Sequence, residues 1–146
     1  MTGSALATLG LALCAGLCGF GSSLGLYYTG SAAAGVLAEE PKKFSKVLIL
    51  VVLPATQGIY GFVFAILGLS GITPDMSALE GAKLFAAAMP LAITGLISGI
   101  FQGKTAVGGI YAIAKNESLS GKLILFPAMI ETYAILGLVV SILLMS

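Results

Sequence analysis

Glu131 is the residue whose surroundings demand an explanation. It lies inside residues 123–144, LILFPAMIETYAILGLVVSILL, and it is the only carboxylate or amine of that run. The run is long enough to cross a bilayer, where a charge at the centre costs about 2.5–3.5 kcal/mol on insertion scales. A chain keeps such a group only with a partner, a proton or a cation to neutralise it.

Other polar groups share the apolar spans. In residues 53–60, LPATQGIY, the side chains of Thr56, Gln57 and Tyr60 stand with Leu53 at i, i+3, i+4 and i+7, one face of a helix. Gln102 is a lone amide in a stretch of Gly, Ile and Phe. Unpaired amides are costly in hydrocarbon, so these groups should converge on the carboxylate. A proton carrier needs only a carboxyl group in a desolvated place. Two amide carbonyls, a hydroxyl and a carboxylate form more than that: an oxygen cage suited to a small hard cation. Sodium fits, because one carboxylate balances its single charge, whereas calcium and magnesium sites recruit more negative charge. Loaded, such a site is neutral and can face lipid; emptied, Glu131 is an anion that seeks an opposite charge. The plainer alternative is that Thr56, Gln57 and Gln102 only tie helices together, at about 0.6 kcal/mol per bond in membranes. That alternative does not explain the carboxylate.

The elements that must position these groups follow from composition and hydropathy. Of 146 residues, 58% are hydrophobic and 9% charged, with a mean hydropathy of +1.09; an ordinary soluble domain carries about 25% charge. There is no His, Trp or Arg. This excludes a His-containing nucleophilic triad and a thiolate–imidazole metal set. Cys14 and Cys18, one helical turn apart, read as small apolar packing residues. A net charge of +1 leaves no nucleic-acid footprint. No charge precedes Glu39, so the first apolar segment is expected to be a retained helix and not a cleaved signal peptide.

An all-α membrane protein with four transmembrane helices is expected, at about residues 3–38, 43–69, 77–114 and 120–145, each exceeding the roughly 20 residues a span needs. The first and third are longer than the bilayer. Short connections make neighbours antiparallel, and Ser77 with Glu80 predicts a capping box at the start of the third helix. Lys42, Lys43, Lys46, Lys115 and Lys122 fall in or beside the first and third connections. The positive-inside rule then places loops 38–46 and 114–122 in the cytoplasm and both termini outside, in a multi-pass protein of the cell membrane.

The chain also repeats. At a spacing of 76 residues Lys46 and Lys122, Thr56 and Thr132, Gly61 and Gly137, and Ile66 and Ile142 coincide. The earlier helices match better at 73, pairing Gly30 with Gly103 and Gly35 with Gly108. The reading is a duplicated hairpin, residues 1–72 and 73–146, in which Ala55 stands where the second copy has Glu131. Small residues at Gly21 and Gly25, and at Gly95, Gly99 and Gly103, permit close helix approach in lipid; they are expected to form a tight inner ring of first and third helices from many subunits, against the alternative of packing within one hairpin. Pro54 and Pro127 remove helix hydrogen bonds and free the carbonyls of Leu50 and Leu123. Thr132 and Tyr133 are placed to orient Glu131, and Lys104 to snorkel toward a polar ring interior or lipid headgroups.

LPATQGIYG at residues 53–61, SGIFQGK at 98–104 and ETYAILG at 131–137 closely resemble the proteolipid (K, c-ring) subunit of V-type sodium-translocating ATPases, over essentially the whole chain. The resemblance implies that Glu131, Gln102, Thr56, Gln57 and the main-chain oxygen of Leu53 hold Na+, with Li+ as a substitute, and that Tyr60 hydrogen-bonds the carboxylate and locks the occupied state. Pro127 departs from the family pattern, where a small non-proline residue is expected. The implied machine is a rotary ATPase: a homo-oligomeric ring, a stationary membrane subunit whose essential arginine pairs transiently with Glu131, and central-stalk subunits seated on cytoplasmic loops that include Glu39, Glu40 and Lys42. The chain itself is expected to be non-catalytic, and it has no GxxxxGK[ST] phosphate loop. Three other readings stay open. One is a proton-translocating proteolipid in which Gln57 and Gln102 are structural. Another is a structural or pore-forming membrane oligomer. The last is a lipid-acting enzyme, weakened by the lack of acid–base pairs.

Overall fold

The computed structural model describes residues 2–146, and among them every regular element is helical. Four helices are long and apolar enough to cross a membrane: helix 1, Gly3–Glu39; helix 2, Pro41–Leu69; helix 3, Ala78–Lys115; and helix 4, Glu117–Met145. Helices 1 and 3 have 37 and 38 residues; at about 1.5 Å per residue each is about 55 Å long, well beyond a ~30 Å hydrocarbon layer. The expected spans agree to within a few residues.

Each end has a local cause. The Thr2 hydroxyl accepts the Ala5 N–H and starts helix 1. Ser77 and Glu80 make the predicted capping box: the Ser77 hydroxyl accepts the Glu80 N–H at 3.3 Å, and the Glu80 carboxylate accepts the Ser77 N–H at 2.8 Å. Pro41 follows helix 1 and opens helix 2 as a 3-10 turn, Pro41–Lys43.

Helices 1 and 3 lie side by side and parallel. A Cβ on Gly99 would strike the backbone of Gly21, and one on Gly103 the backbone of Gly25, so these glycines are what lets the two axes approach. Within one chain the glycine stripe therefore joins the first helices of the two hairpins, and Gly25 also lies against Pro54 of helix 2. Helix 2 packs antiparallel on helix 1, and helix 4 on helix 3. Contact between helices 2 and 4 is sparser. In helix 4 only 17% of the apolar window is buried, against 44% in helix 3, which makes helix 4 peripheral.

Apolar packing divides into two clusters. One gathers Ala7, Leu11, Cys14, Cys18, Phe64, Leu84, Ala88, Leu91 and Ala92. The other gathers Ala32, Ala33, Val36, Val47, Leu50, Ala106, Ile110 and Ile113 at the end carrying loops 38–46 and 114–122. The layer between them holds the buried polar side chains Ser22, Thr29, Gln57, Ser98 and Gln102. Cys14 and Cys18 are free and buried, as packing residues are.

Both prolines interrupt the helices that carry them. In helix 2 the α-ladder ends at Val52, Leu53–Ala55 winds as a 3-10 turn, and the α-form resumes at Thr56. In helix 4 it breaks at Ile124, three residues before Pro127. Pro90 inside helix 3, which hydropathy does not flag, is accommodated differently: Ser141 on helix 4 accepts the neighbouring Leu91 N–H at 3.1 Å.

Candidate ion-binding site

The polar groups of helices 2, 3 and 4 meet in one connected network in the middle layer. Tyr60 donates its hydroxyl to Glu131 Oε1 at 2.6 Å. Gln102 donates its amide to Glu131 Oε2 and to the Pro127 carbonyl, both at 3.2 Å. Gln57 donates to Gln102 Oε1 at 2.7 Å. Thr56 points its hydroxyl at Gln57 Oε1, 3.4 Å away, and donates to the Leu53 carbonyl at 3.1 Å. All five expected oxygen-bearing residues, and Tyr60, are therefore brought together. Gln57 and Gln102 are fully buried, while Glu131 is half-buried on the peripheral helix.

The helical breaks explain how three helices reach one point. In the 3-10 turn at Leu53–Ala55 the Leu53 carbonyl accepts both the N–H and the hydroxyl of Thr56, next to Gln57. Pro127 lacks an N–H, and its carbonyl lies within reach of Gln102 one turn before Glu131. Among the described residues, no buried side-chain nitrogen or oxygen lacks a partner.

Two expectations fail here. Thr132 donates to the Met129 carbonyl of its own helix, and Tyr133 is 65% exposed. Neither bonds the carboxylate, because Thr132 stands about 100° and Tyr133 about 160° around the helix from Glu131. Tyr60, on the facing helix, holds Glu131 instead. Lys104 sits 5.7 Å from the centre of the Tyr28 ring and 6.0 Å from that of Phe101, on the face of helices 1 and 3 away from the site.

The sequence pattern gave no sign of a further set. Lys43 is buried, pairs with Glu40 at 2.7 Å, and donates to the Ala114 carbonyl in the last turn of helix 3, where a cation complements the helix dipole. Thr29 and Ser22 on helix 1 bond the backbone of helix 2 at 2.9 and 2.7 Å.

The sequence is similar to known proteins over nearly its whole length. The family of the ATP synthase C subunit matches the chain twice, over residues 9–68 and 85–144. The V-type sodium ATPase subunit K of Enterococcus hirae is 47% identical over 142 residues, which is 97% of this chain and 91% of that protein. The A-type ATP synthase subunit K of Methanocaldococcus jannaschii is 40% identical over 140 residues, 96% of this chain and 61% of that protein. Together with the four apolar helices, these likenesses make the chain a multi-pass membrane protein of the ATP synthase C subunit family, the ring-forming, non-catalytic proteolipids of rotary ATPases.

Proposed function

We propose that this rotor proteolipid carries Na+ at Glu131, with Thr56, Gln57, Gln102 and the Leu53 carbonyl as the other ligands. The observation that carries the reading is a chain of two fully buried glutamines ending on one carboxylate, Gln57 bonded to Gln102 and Gln102 to Glu131. A carboxylate needs no such escort to carry a proton. A dehydrated alkali ion does need several uncharged oxygens beside the single negative charge. A carboxamide carries its oxygen and nitrogen on one plane, so a half-turn of the Gln102 amide exchanges the N–H that meets Glu131 for an oxygen. The residues present thus fit a sodium ion as cargo, and Li+ is the natural substitute.

The remaining steps belong to the chain's own groups. Tyr60 holds Glu131 Oε1 and keeps the carboxylate turned inward. Released from its ion, Glu131 is an anion on a peripheral helix, and it pairs with a cation offered from outside the ring, the arginine of a stationary membrane subunit. Loops 38–46 and 114–122 face the cytoplasm and seat the central stalk; the lysine distribution supports that orientation. Each ion moved against 100 mV costs ~2.3 kcal/mol, which lets several ions share one ATP. The two matched stretches, 9–68 and 85–144, support the division into hairpins 1–72 and 73–146.

Carbodiimide modification of Glu131 in the purified oligomer tests the reading. Sodium, and lithium at higher concentration, should slow the modification at fixed pH. Protection by protons alone would transfer the site to the second reading, a proton carrier. That reading draws on the fact that the glutamines already have protein partners: Gln57 donates to Gln102, and Gln102 donates to the Pro127 carbonyl.

A further inference from the structure

We infer that Thr29 and Ser22 of helix 1 are positioning residues for the ion site, bracing the turn of helix 2 that presents its ligands. This rests on the sodium reading above, and it brings in the one helix that supplies no ligand. The Leu53–Ala55 turn interrupts the α-ladder immediately before Thr56. Main-chain groups on its two sides find their partners in helix 1. The Thr29 hydroxyl donates to the Val51 carbonyl at 2.9 Å, two residues before Leu53. The Ser22 hydroxyl accepts the Gly58 N–H at 2.7 Å, one residue after Gln57. Thr29 is fully buried and Ser22 is 6% exposed. They stand seven residues apart on one face of helix 1, so they clamp the turn at both ends.

The repeat gives this a second, independent support. In the spacing of 73 for inner helices and 76 for outer ones, Thr29 corresponds to Gln102 and Val51 to Pro127. Gln102 donates to the Pro127 carbonyl as Thr29 donates to that of Val51. The same inter-helix bond therefore occurs in both hairpins. In the second it is made by a side chain long enough to reach the carboxylate as well. In the first the shorter Thr29 makes only the brace. The first hairpin, which has Ala55 in place of a carboxylate, thus serves the site by holding helix 2 in place.

Outer partners of this kind typically change ion affinity by about 10–100-fold when removed. The measurement is the sodium concentration that half-protects Glu131 from carbodiimide in the purified oligomer, with the number of chains determined by mass. Thr29→Val, which keeps the shape and removes the donor, should raise that concentration by about tenfold or more. Thr29→Ser should restore it, and Ser22→Ala should raise it in the same direction. Sodium-free modification of Glu131 should be unchanged in all three, since none of them touches the carboxylate. Wild-type protection with an unchanged value in Thr29→Val and Ser22→Ala overturns the brace while leaving the sodium reading standing. Absence of sodium protection in the wild type overturns both. If Thr29→Val yields no oligomer, Ser22→Ala compared with wild type decides alone.

Discussion

Glu131 accepts a bond on each oxygen, and the two donors differ in what they can do. Gln102 can turn its amide over and offer oxygen; the Tyr60 hydroxyl can hold the carboxylate or leave it. Tyr60→Phe removes one bond to a charged acceptor, of a kind that contributes about 1.5–3 kcal/mol, and adds no bulk. The sodium concentration that half-protects Glu131 should rise by roughly tenfold or more at fixed pH, with the oligomer intact. An unchanged value would make the 2.6 Å contact incidental to ion holding. At this scale much of the site was legible. Thr56, Gln57, Tyr60, Gln102 and Glu131 are polar in apolar runs, and hydrocarbon forces such groups together. Ser22 and Thr29 were not legible, because a helical hydroxyl ordinarily bonds its own backbone, and Thr29 also lies 3.2 Å from the Gly25 carbonyl. Nothing in spacing separates that from a bond across to helix 2. Lys43 was counted only as a loop charge, since burial of a lysine on the end of helix 3 depends on how the hairpins pack.

At the scale of the helix, turns and caps fix where each polar residue of the candidate site sits along its own helix. Helix 3 carries Gln102 about 24 residues from its start, and its first turn is capped by Ser77 and Glu80. Ser77→Ala should cost about 1 kcal/mol of local stability. The expected sign is faster amide hydrogen exchange in the first turn of helix 3, near Leu79 to Gly81, with no change near Gln102. Exchange spreading to residue 102 would mean that the cap sets the register of the whole helix. The capping box and the helical breaks at Pro54 and Pro127 could be anticipated, because each is a rule about neighbouring residues. The assignment of the glycine stripe could not be completed that way. Close approach was evident from the i, i+4, i+8 spacing, but whether the partner lay in the same hairpin, the other hairpin or another chain is a tertiary fact. Gly99 on Gly21 and Gly103 on Gly25 place it between the two inner helices of one chain.

For the whole molecule, the outer surface and the single carboxylate lead to one number. Ile59, Phe62, Val63 and Ile66 on helix 2, and Leu125, Phe126, Met129, Tyr133 and Leu136 on helix 4, are exposed. Apolar patches of this extent do not face water; in a ring-forming family they face lipid and neighbouring copies. The chain brings two hairpins to such a ring but one carboxylate, since Ala55 occupies the repeat position of Glu131. Thr29 likewise occupies that of Gln102. A purified oligomer equilibrated with sodium and weighed by mass spectrometry should therefore hold one ion per chain, not one per hairpin. Glu131→Gln should hold none while keeping the same number of chains, because the amide fills the same space and no packing contact is lost. Two ions per chain would mean that the first hairpin has a site of its own, built without a carboxylate, and that Thr29 is a ligand and not a brace. Retention of one ion per chain in Glu131→Gln would overturn Glu131 as the balancing charge, because the other acidic residues, Glu39, Glu40, Asp75, Glu80 and Glu117, lie at helix ends and in connections.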